Sequence, residues 1–308
     1  MKAKKTNFLL IFIISSFCWQ NLTALTVNPQ AESQFLKQEM AWREKRDQKM
    51  RSATSWLTIA GLFWLEEGEN SFGTSPENRI KLPPGSAPAQ AGKFMVNNSK
   101  VTVIAAPGID LKINGQKIKK ADLQADDSGK PDIIELNDLR LWVIKRGQRL
   151  AIRLRDFNNP AYKEYTGLDF FPPSLKFKLE GNFVAYKVPK KIKVPTMVAT
   201  EAEMISPGYV TFQLNGHKYR LQAFQANPAN TKLFFIFKDQ TNGRETYEAS
   251  RFMVSDLSPE GKVDLNFNRA YNPPCAYTPY ATCPLPPPQN YLPVRIEAGE
   301  KKYPGSHH

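Results

Sequence analysis

Of the three histidines, two are the terminal His307 and His308, which leaves His217 as the imidazole available to a general-base or metal site within the chain. His217 follows Asn215-Gly216, a dipeptide suited to the positive φ of a two-residue hairpin, so its side chain is expected at a solvent-facing tip. A Ser-His-Asp or Cys-His arrangement would depend on that residue alone. The chain has no Gly-x-Ser-x-Gly elbow, no His-Glu-x-x-His helix and no Gly-x-x-x-x-Gly-Lys phosphate loop. Cys275 and Cys283 with one remote histidine do not supply the four ligands of a structural zinc ion. No metal and no cofactor is expected. Asp126-Asp-Ser-Gly129 has the residue types of an oxygen-ligated cation loop, but with Pro131 close behind it reads as a turn.

What remains is carboxylate, phenol and guanidinium chemistry beside one unusual stretch. Residues 266–293 hold eight of the 24 prolines, and Arg269 is their sole charged side chain. Each proline fixes φ and restrains the residue before it, so this stretch loses less entropy on ordering than an ordinary loop. A stiff, uncharged, aromatic-studded loop is expected to pack over the body and wall a cavity. Cys275 and Cys283 lie within it. In an oxidising compartment they are disulfide partners closing a nine-residue loop, which chain entropy makes worth about 2.6 kcal/mol. The other reading is two reduced, buried thiols. The proline after Cys283 and the lack of Cys-x-x-Cys argue against redox catalysis.

The candidate ligand-binding residues stand on either side of that loop: Asp239, Glu245, Tyr247 and Arg251 before it, and Asn268, Arg269 and Asn272 leading into it. Glu297 and Glu300 follow. On an uninterrupted strand Glu245, Tyr247 and Arg251 share one parity and project to the same face. Such a face could line a cavity with one carboxylate, one phenol and one cation. The competing reading is a solvated face, or Glu245 and Arg251 as anchors of the loop, with Arg269 bound to carbonyls or a carboxylate.

The elements that must hold these residues are mostly strands. Residues 34–51 read as a helix carrying Leu36, Met40 and Trp42, with Glu39/Arg43 and Asp47/Arg51 at i,i+4 spacing. Its thin apolar stripe suits the outside of a sheet. The run 56–65, with Trp56 and Trp64, reads as core. Asn114-Gly115, Arg146-Gly147, Asn215-Gly216 and Thr241-Asn-Gly243 each separate two alternating apolar segments, the last joining 233–237 to 246–254. Hairpins in series predict a mainly β protein: an antiparallel sandwich or barrel-like body with one N-terminal helix and a Pro/Cys-rich C-terminal loop. The expected organisation is a signal peptide at 1–24, a helical segment at 25–55, a first hairpin-rich half at 56–155 and a second β half at 156–304.

The leader rests on Lys2, Lys4 and Lys5 before the apolar run 8–17, too short to span a bilayer. Export to the periplasm or cell envelope follows, with Cys18 a weak lipoprotein signal. No other stretch is apolar enough to span a membrane. Losing three lysines reduces the net charge from +13 to about +10. The cations are dispersed, with runs such as Lys190-Lys-Ile-Lys193 reading as solvated strand edges, so no nucleic acid partner is expected.

Residues 56–73 (Trp-Leu-Thr-Ile-Ala-Gly-Leu-Phe-Trp-Leu-Glu-Glu-Gly-Glu-Asn-Ser-Phe-Gly) resemble an uncharacterised bacterial family known as domain of unknown function 1684. The likeness continues through Tyr165-Thr-Gly-Leu-Asp-Phe-Phe-Pro172 and Asp239-Gln-Thr-Asn-Gly-Arg-Glu-Thr-Tyr247. It ends with Asn268-Arg-Ala-Tyr-Asn-Pro-Pro-Cys275, Cys283-Pro-Leu-Pro-Pro-Pro288 and Glu297-Ala-Gly-Glu-Lys301. The resemblance implies one family-wide unit and supplies no activity. Members often have Asp-Phe-Asn where this chain has Asn266-Phe-Asn268, which removes a carboxylate there. The leading expectation is an exported protein binding a small molecule or glycan-like ligand in a pocket walled by 266–293. The alternative is a carboxylate-dependent hydrolase using Glu245 or Asp239 as base. A second alternative is a partner-binding module exposing Trp56, Phe63 or Trp64.

Overall fold

Helix α1 (Pro29–Met50) starts where Asn28 accepts a hydrogen bond from the Gln30 amide and Pro29 occupies the first turn. This cap sets the start earlier than the apolar pattern alone predicts. The computed structural model describes residues 28–225 and 231–306, so the expected leader at 1–24 lies outside the described residues. No helix among the described residues is long and apolar enough to cross a membrane.

The strands β1 (Ile59–Trp64), β2 (Gly68–Gly73), β3 (Ile80–Lys81), β4 (Gly92–Asn97) and β5 (Lys100–Ala105) open the β body. They continue as β6 (Leu111–Ile113), β7 (Gln116–Ile118), β8 (Lys120–Leu123), β9 (Ile134–Leu136), β10 (Leu139–Arg146) and β11 (Arg149–Asp156). One sheet runs β1-β11-β10-β9-β6-β7 and a second β3-β2-β4-β5-β8. Between them lies a core that includes Phe72, Phe94, Leu111, Leu141, Ile152 and Leu154. The pairing is antiparallel throughout except for β2 with β3, so this half is sandwich-like.

A short α2 (Pro160–Lys163) leads into the second half. There, β12 (Lys178–Pro195), β13 (Glu201–Leu214) and β14 (His217–Ala223) form a meander, with β17 (Lys262–Asn266) on the far side of β12. A separate pair joins β15 (Lys232–Phe237) to β16 (Arg251–Asp256). A second core gathers Val210, Phe212, Leu221, Phe235, Phe237 and Phe267. Asn114 and Asn215 both take φ of 52° at the tips of their hairpins, the left-handed geometry their Asn-Gly turns require.

The hairpin expected to run from 246 to 254 departs from its pattern. β16 begins only at Arg251, and 238–250 is a connecting loop. Asp239 Oδ1 accepts from both the amide and the hydroxyl of Thr241, and Asn242 Nδ2 donates to the Tyr247 carbonyl. These side-chain bonds offer the backbone an alternative to the ladder. The expected strand face of Glu245, Tyr247 and Arg251 therefore does not form.

α1 packs on the second half and its C-terminal segment. Glu39, fully buried, accepts from Asn266 Nδ2 at 2.8 Å and pairs with Arg269 at 2.9 Å. Arg43 donates to the Phe171 carbonyl at 2.7 Å.

Candidate functional site

A cavity of about 270 Å³ opens where the end of α1, the 54–56 turn, the β15–β16 pair and the start of the Pro/Cys-rich loop meet. Its apolar wall is Met50, Trp56, Phe234, Phe252, Tyr271, Pro274 and Tyr277. Phe252 holds the aromatic wall together, edge-on to Phe234 at 4.9 Å and to Tyr271 at 6.0 Å between ring centres. Residues 271–277 reach this place because Tyr271 forms a backbone bridge with Phe252, exchanging bonds of 2.9 and 2.8 Å. Prolines 273 and 274 then take the chain out of the ladder, since they have no amide to donate.

Arg46, Lys49, Thr54, Ser55 and Asn272 give the cavity its polar border, and Glu300 stands behind Arg46 and Tyr277. The Arg46 guanidinium lies 4.9 Å from the Tyr271 ring centre, with Nε 2.6 Å from Glu300 Oε1 and Nη2 donating to Tyr277 Oη at 3.2 Å. Glu300 Oε2 accepts from the Asn272 amide and from Tyr277 Oη, both at 2.8 Å. Burial would lower the Arg46 pKa, but Glu300 and Tyr277 raise it above the ordinary arginine value. Burial, reinforced by Glu300, holds Tyr277 well above the usual phenol range, and burial pushes Tyr271 up to about 12. Arg46 is thus a neutralised positioning group, not a free cation. Asn272 is different. Its Nδ2 donates to the Lys301 carbonyl at 2.7 Å, while its buried Oδ1 has no donor among the described residues.

Of the seven candidate residues from the sequence, Asn272 alone lines this cavity. Asp239 and Arg251 form a fully buried pair at 2.8 Å, and Arg251 also donates to the carbonyls of Ile296 and Ala298. Glu245 pairs with Arg295 at 2.6 Å, and that contact holds its carboxyl below the usual range. Tyr247 Oη donates to the Cys275 carbonyl at 3.2 Å. Asn268 bonds the Ser174 amide and carbonyl, both at 2.9 Å, and Arg269 is bound to Glu39. These six tie the C-terminal segment to the body; they do not converge on one space. Asp239 and Glu245, the expected bases, are each bound to an arginine away from this cavity, and the lowered Glu245 pKa is the opposite of a raised general-base value.

Sequence reasoning missed Arg46, Trp56, Phe234, Phe252 and Tyr277. The aromatic and proline density of 271–277 was the one signal pointing here. Cys275 and Cys283 are both buried, unbridged thiols in this structure, with the Cys275 amide donating to Cys283 Sγ at 3.2 Å. The hydrogen bond from Cys283 lowers the Cys275 pKa, and burial raises that of Cys283. His217 is exposed at its hairpin tip, and Asp126 caps Arg146 at 2.8 Å in a turn. Phe63 packs on the first core and Arg149 covers Trp64 at 3.8 Å, so with half-buried Trp56 they form no bare apolar patch.

No curated protein matches the chain. Among solved structures, an uncharacterized protein of Haloarcula marismortui is 32% identical, covering 45% of this chain and 78% of its own, with a TM-score of 0.39. The FHA-2 domain of a Mycobacterium tuberculosis ABC transporter is 19% identical over 30% of this chain and 80% of its own, with a TM-score of 0.23. A family model described as protein of unknown function (DUF1684) matches residues 163–301. That span takes in the Pro/Cys-rich segment and its anchors, and leaves 56–73 outside. The chain belongs to this family of proteins of unknown function, DUF1684.

Proposed function

We propose that this chain is an exported envelope protein that binds a small, largely uncharged ligand, such as a sugar ring, in the aromatic cavity between α1 and the Pro/Cys-rich loop. The observation that carries the reading is the aromatic wall of Trp56, Phe252, Tyr271 and Tyr277 beside the unpartnered Asn272 Oδ1. Aromatic faces hold an apolar ring face, and a buried acceptor selects a ligand that brings a hydroxyl or amide donor. At about 270 Å³ the space falls just below the range for drug-sized ligands and suits one ring. The hydrolase alternative has less support, because Asp239 and Glu245 are each bound to an arginine away from this space.

In the oxidising compartment of this reading, Cys275 and Cys283 pair as a disulfide that closes the cavity wall. Native mass spectrometry of protein recovered from its own cell envelope tests the whole reading. A co-purifying small molecule, a missing leader and loss of two thiol hydrogens are expected. Calorimetry against a panel of monosaccharides and small amides then tests the site, with Trp56→Ala abolishing binding. Recovery from the cytosolic fraction with the leader intact sinks the export reading. Ligand binding unchanged by Trp56→Ala sinks the site.

A further inference from the structure

Along β11, Leu150, Ile152 and Leu154 turn into the first core, so Arg149, Ala151, Arg153 and Arg155 share the outer face of the sheet. The register adds Trp142 opposite Arg153 and Arg140 opposite Arg155. Each of three arginines sits over a tryptophan: Arg149 over Trp64, Arg155 over Trp142 at 5.4 Å and Arg153 over Trp56 at 5.2 Å.

Arg153 stands apart from the rest. It is 5% exposed, and neither Nε nor Nη2 has an acceptor among the described residues. Nε of Arg155 is likewise buried without one, while its Nη2 reaches the Thr54 carbonyl at 3.1 Å. Asp126 attracts Arg153 through space but does not bond it: Oδ2 accepts from Arg146 at 2.8 Å and Oδ1 from the Lys145 amide at 2.9 Å, and the Arg146 charge outweighs the attraction. Cys283 brings no charge either, since burial raises the pKa of the free thiol and a disulfide sulfur is neutral. Burial, and then the Arg146 charge, push the Arg153 pKa down to about 10, as expected of a buried cation lacking a counter-ion. A buried guanidinium without acceptors is costly, and its planar fork matches an oxyanion.

We propose that the outer face of the β1–β11–β10 sheet holds a binding site for a phosphoryl oxyanion, with Arg153 as its centre and Arg155 Nε as a second donor. The phosphoryl group comes either as free phosphate or as a phosphomonoester. Trp56 belongs to both this face and the aromatic cavity, yet the site rests on the two arginines and does not require the cavity to be filled.

The test is calorimetric titration of the full chain with inorganic phosphate and with a hexose monophosphate, at constant ionic strength set with chloride. Saturable binding of at least one is expected, weakened at least tenfold in Arg153→Met. The thermal midpoint of the variant without anion should equal or exceed that of the parent, because an uncompensated buried charge is removed. Tighter binding of the ester identifies a phosphorylated ligand, and equal binding identifies the free ion; either supports the site. If Arg153→Met does not fold, the ¹H–¹⁵N signal of Arg153 Nε in the parent protein decides, since it must shift on phosphate titration. Absence of saturable binding, equal affinity in the variant, or an unmoved Nε signal overturns the proposal.

Discussion

Arg46 of α1 and Glu300 near the C-terminus, 254 residues apart in sequence, meet at 2.6 Å with the Glu300 side chain completely shielded from solvent. With the Glu39–Arg269 pair, it ties the N-terminal helix to the C-terminal segment beside the aromatic cavity. Glu300 also receives the Asn272 amide and Tyr277 Oη, so removing its partner leaves a buried carboxylate only partly satisfied.

Arg46→Ala is therefore expected to destabilise the protein by about 3–5 kcal/mol, the usual cost of stripping one partner from a buried pair. Urea unfolding followed by circular dichroism measures it. A loss below about 1 kcal/mol, typical of an exposed pair, would show that α1 docks by apolar contact instead.

Asp239 and Arg251 are expected to behave as structure and not as catalyst. Each single change, Asp239→Leu or Arg251→Met, should cost about 3–5 kcal/mol, since either leaves a buried charge unpaired. The double variant Asp239→Leu with Arg251→Met should recover much of that loss. Additive losses in a double-mutant cycle would contradict the pairing.

Asn266 donates its amide to Glu39 Oε1 at 2.8 Å, and Glu39 is fully buried. Asn266→Asp would therefore set two carboxyl groups together. A loss of about 1–3 kcal/mol at neutral pH is expected, partly recovered on acidification as one carboxyl takes a proton. A pH series of thermal midpoints reads the effect. An Asn266→Asp protein as stable as the parent at neutral pH would contradict the close contact of this position with Glu39.

Alkaline pH should unfold the protein through its buried phenols. Burial first, and then Asp47 for Tyr165, Cys275 for Tyr247 and Glu300 for Tyr277, raise all three above the usual phenol range. A raised folded-state pKa gives stability that is fully present below the unfolded value near 10 and lost as pH climbs past it. Arg153 works in the opposite sense over the same range, its pKa having fallen to about 10. Burial also raises Tyr271 and Tyr303 and lowers Arg43 and Arg155, so five phenols against three guanidiniums leave a net loss. Denaturant midpoints measured across this range should fall with pH, and more shallowly in Tyr277→Phe. A flat profile in the parent would refute the assignment.

Much of the β body was legible in the sequence because its determinants are local. Asn114-Gly115, Arg146-Gly147 and Asn215-Gly216 specify hairpins through their own φ preferences, and the alternation in β11 specifies its two faces. The loop at 238–250 was not legible, because the same residues could extend a strand. Hydrogen bonds between the side chains of Asp239, Thr241 and Asn242 and nearby groups decide against it.

Composition and order along the chain also marked 266–293 as a stiff segment, since proline restrains φ wherever it occurs. What that segment does was set only in three dimensions. Its expected polar residues became anchors, because each found an opposite charge or a backbone group brought from a distant element. The cavity came instead from Arg46, Trp56, Phe252 and Tyr271, whose separation in sequence hides their contact. Periodicity reports which way a residue faces within its own element. Which other element it faces depends on how the helix and sheets pack, and that is a property of the whole fold.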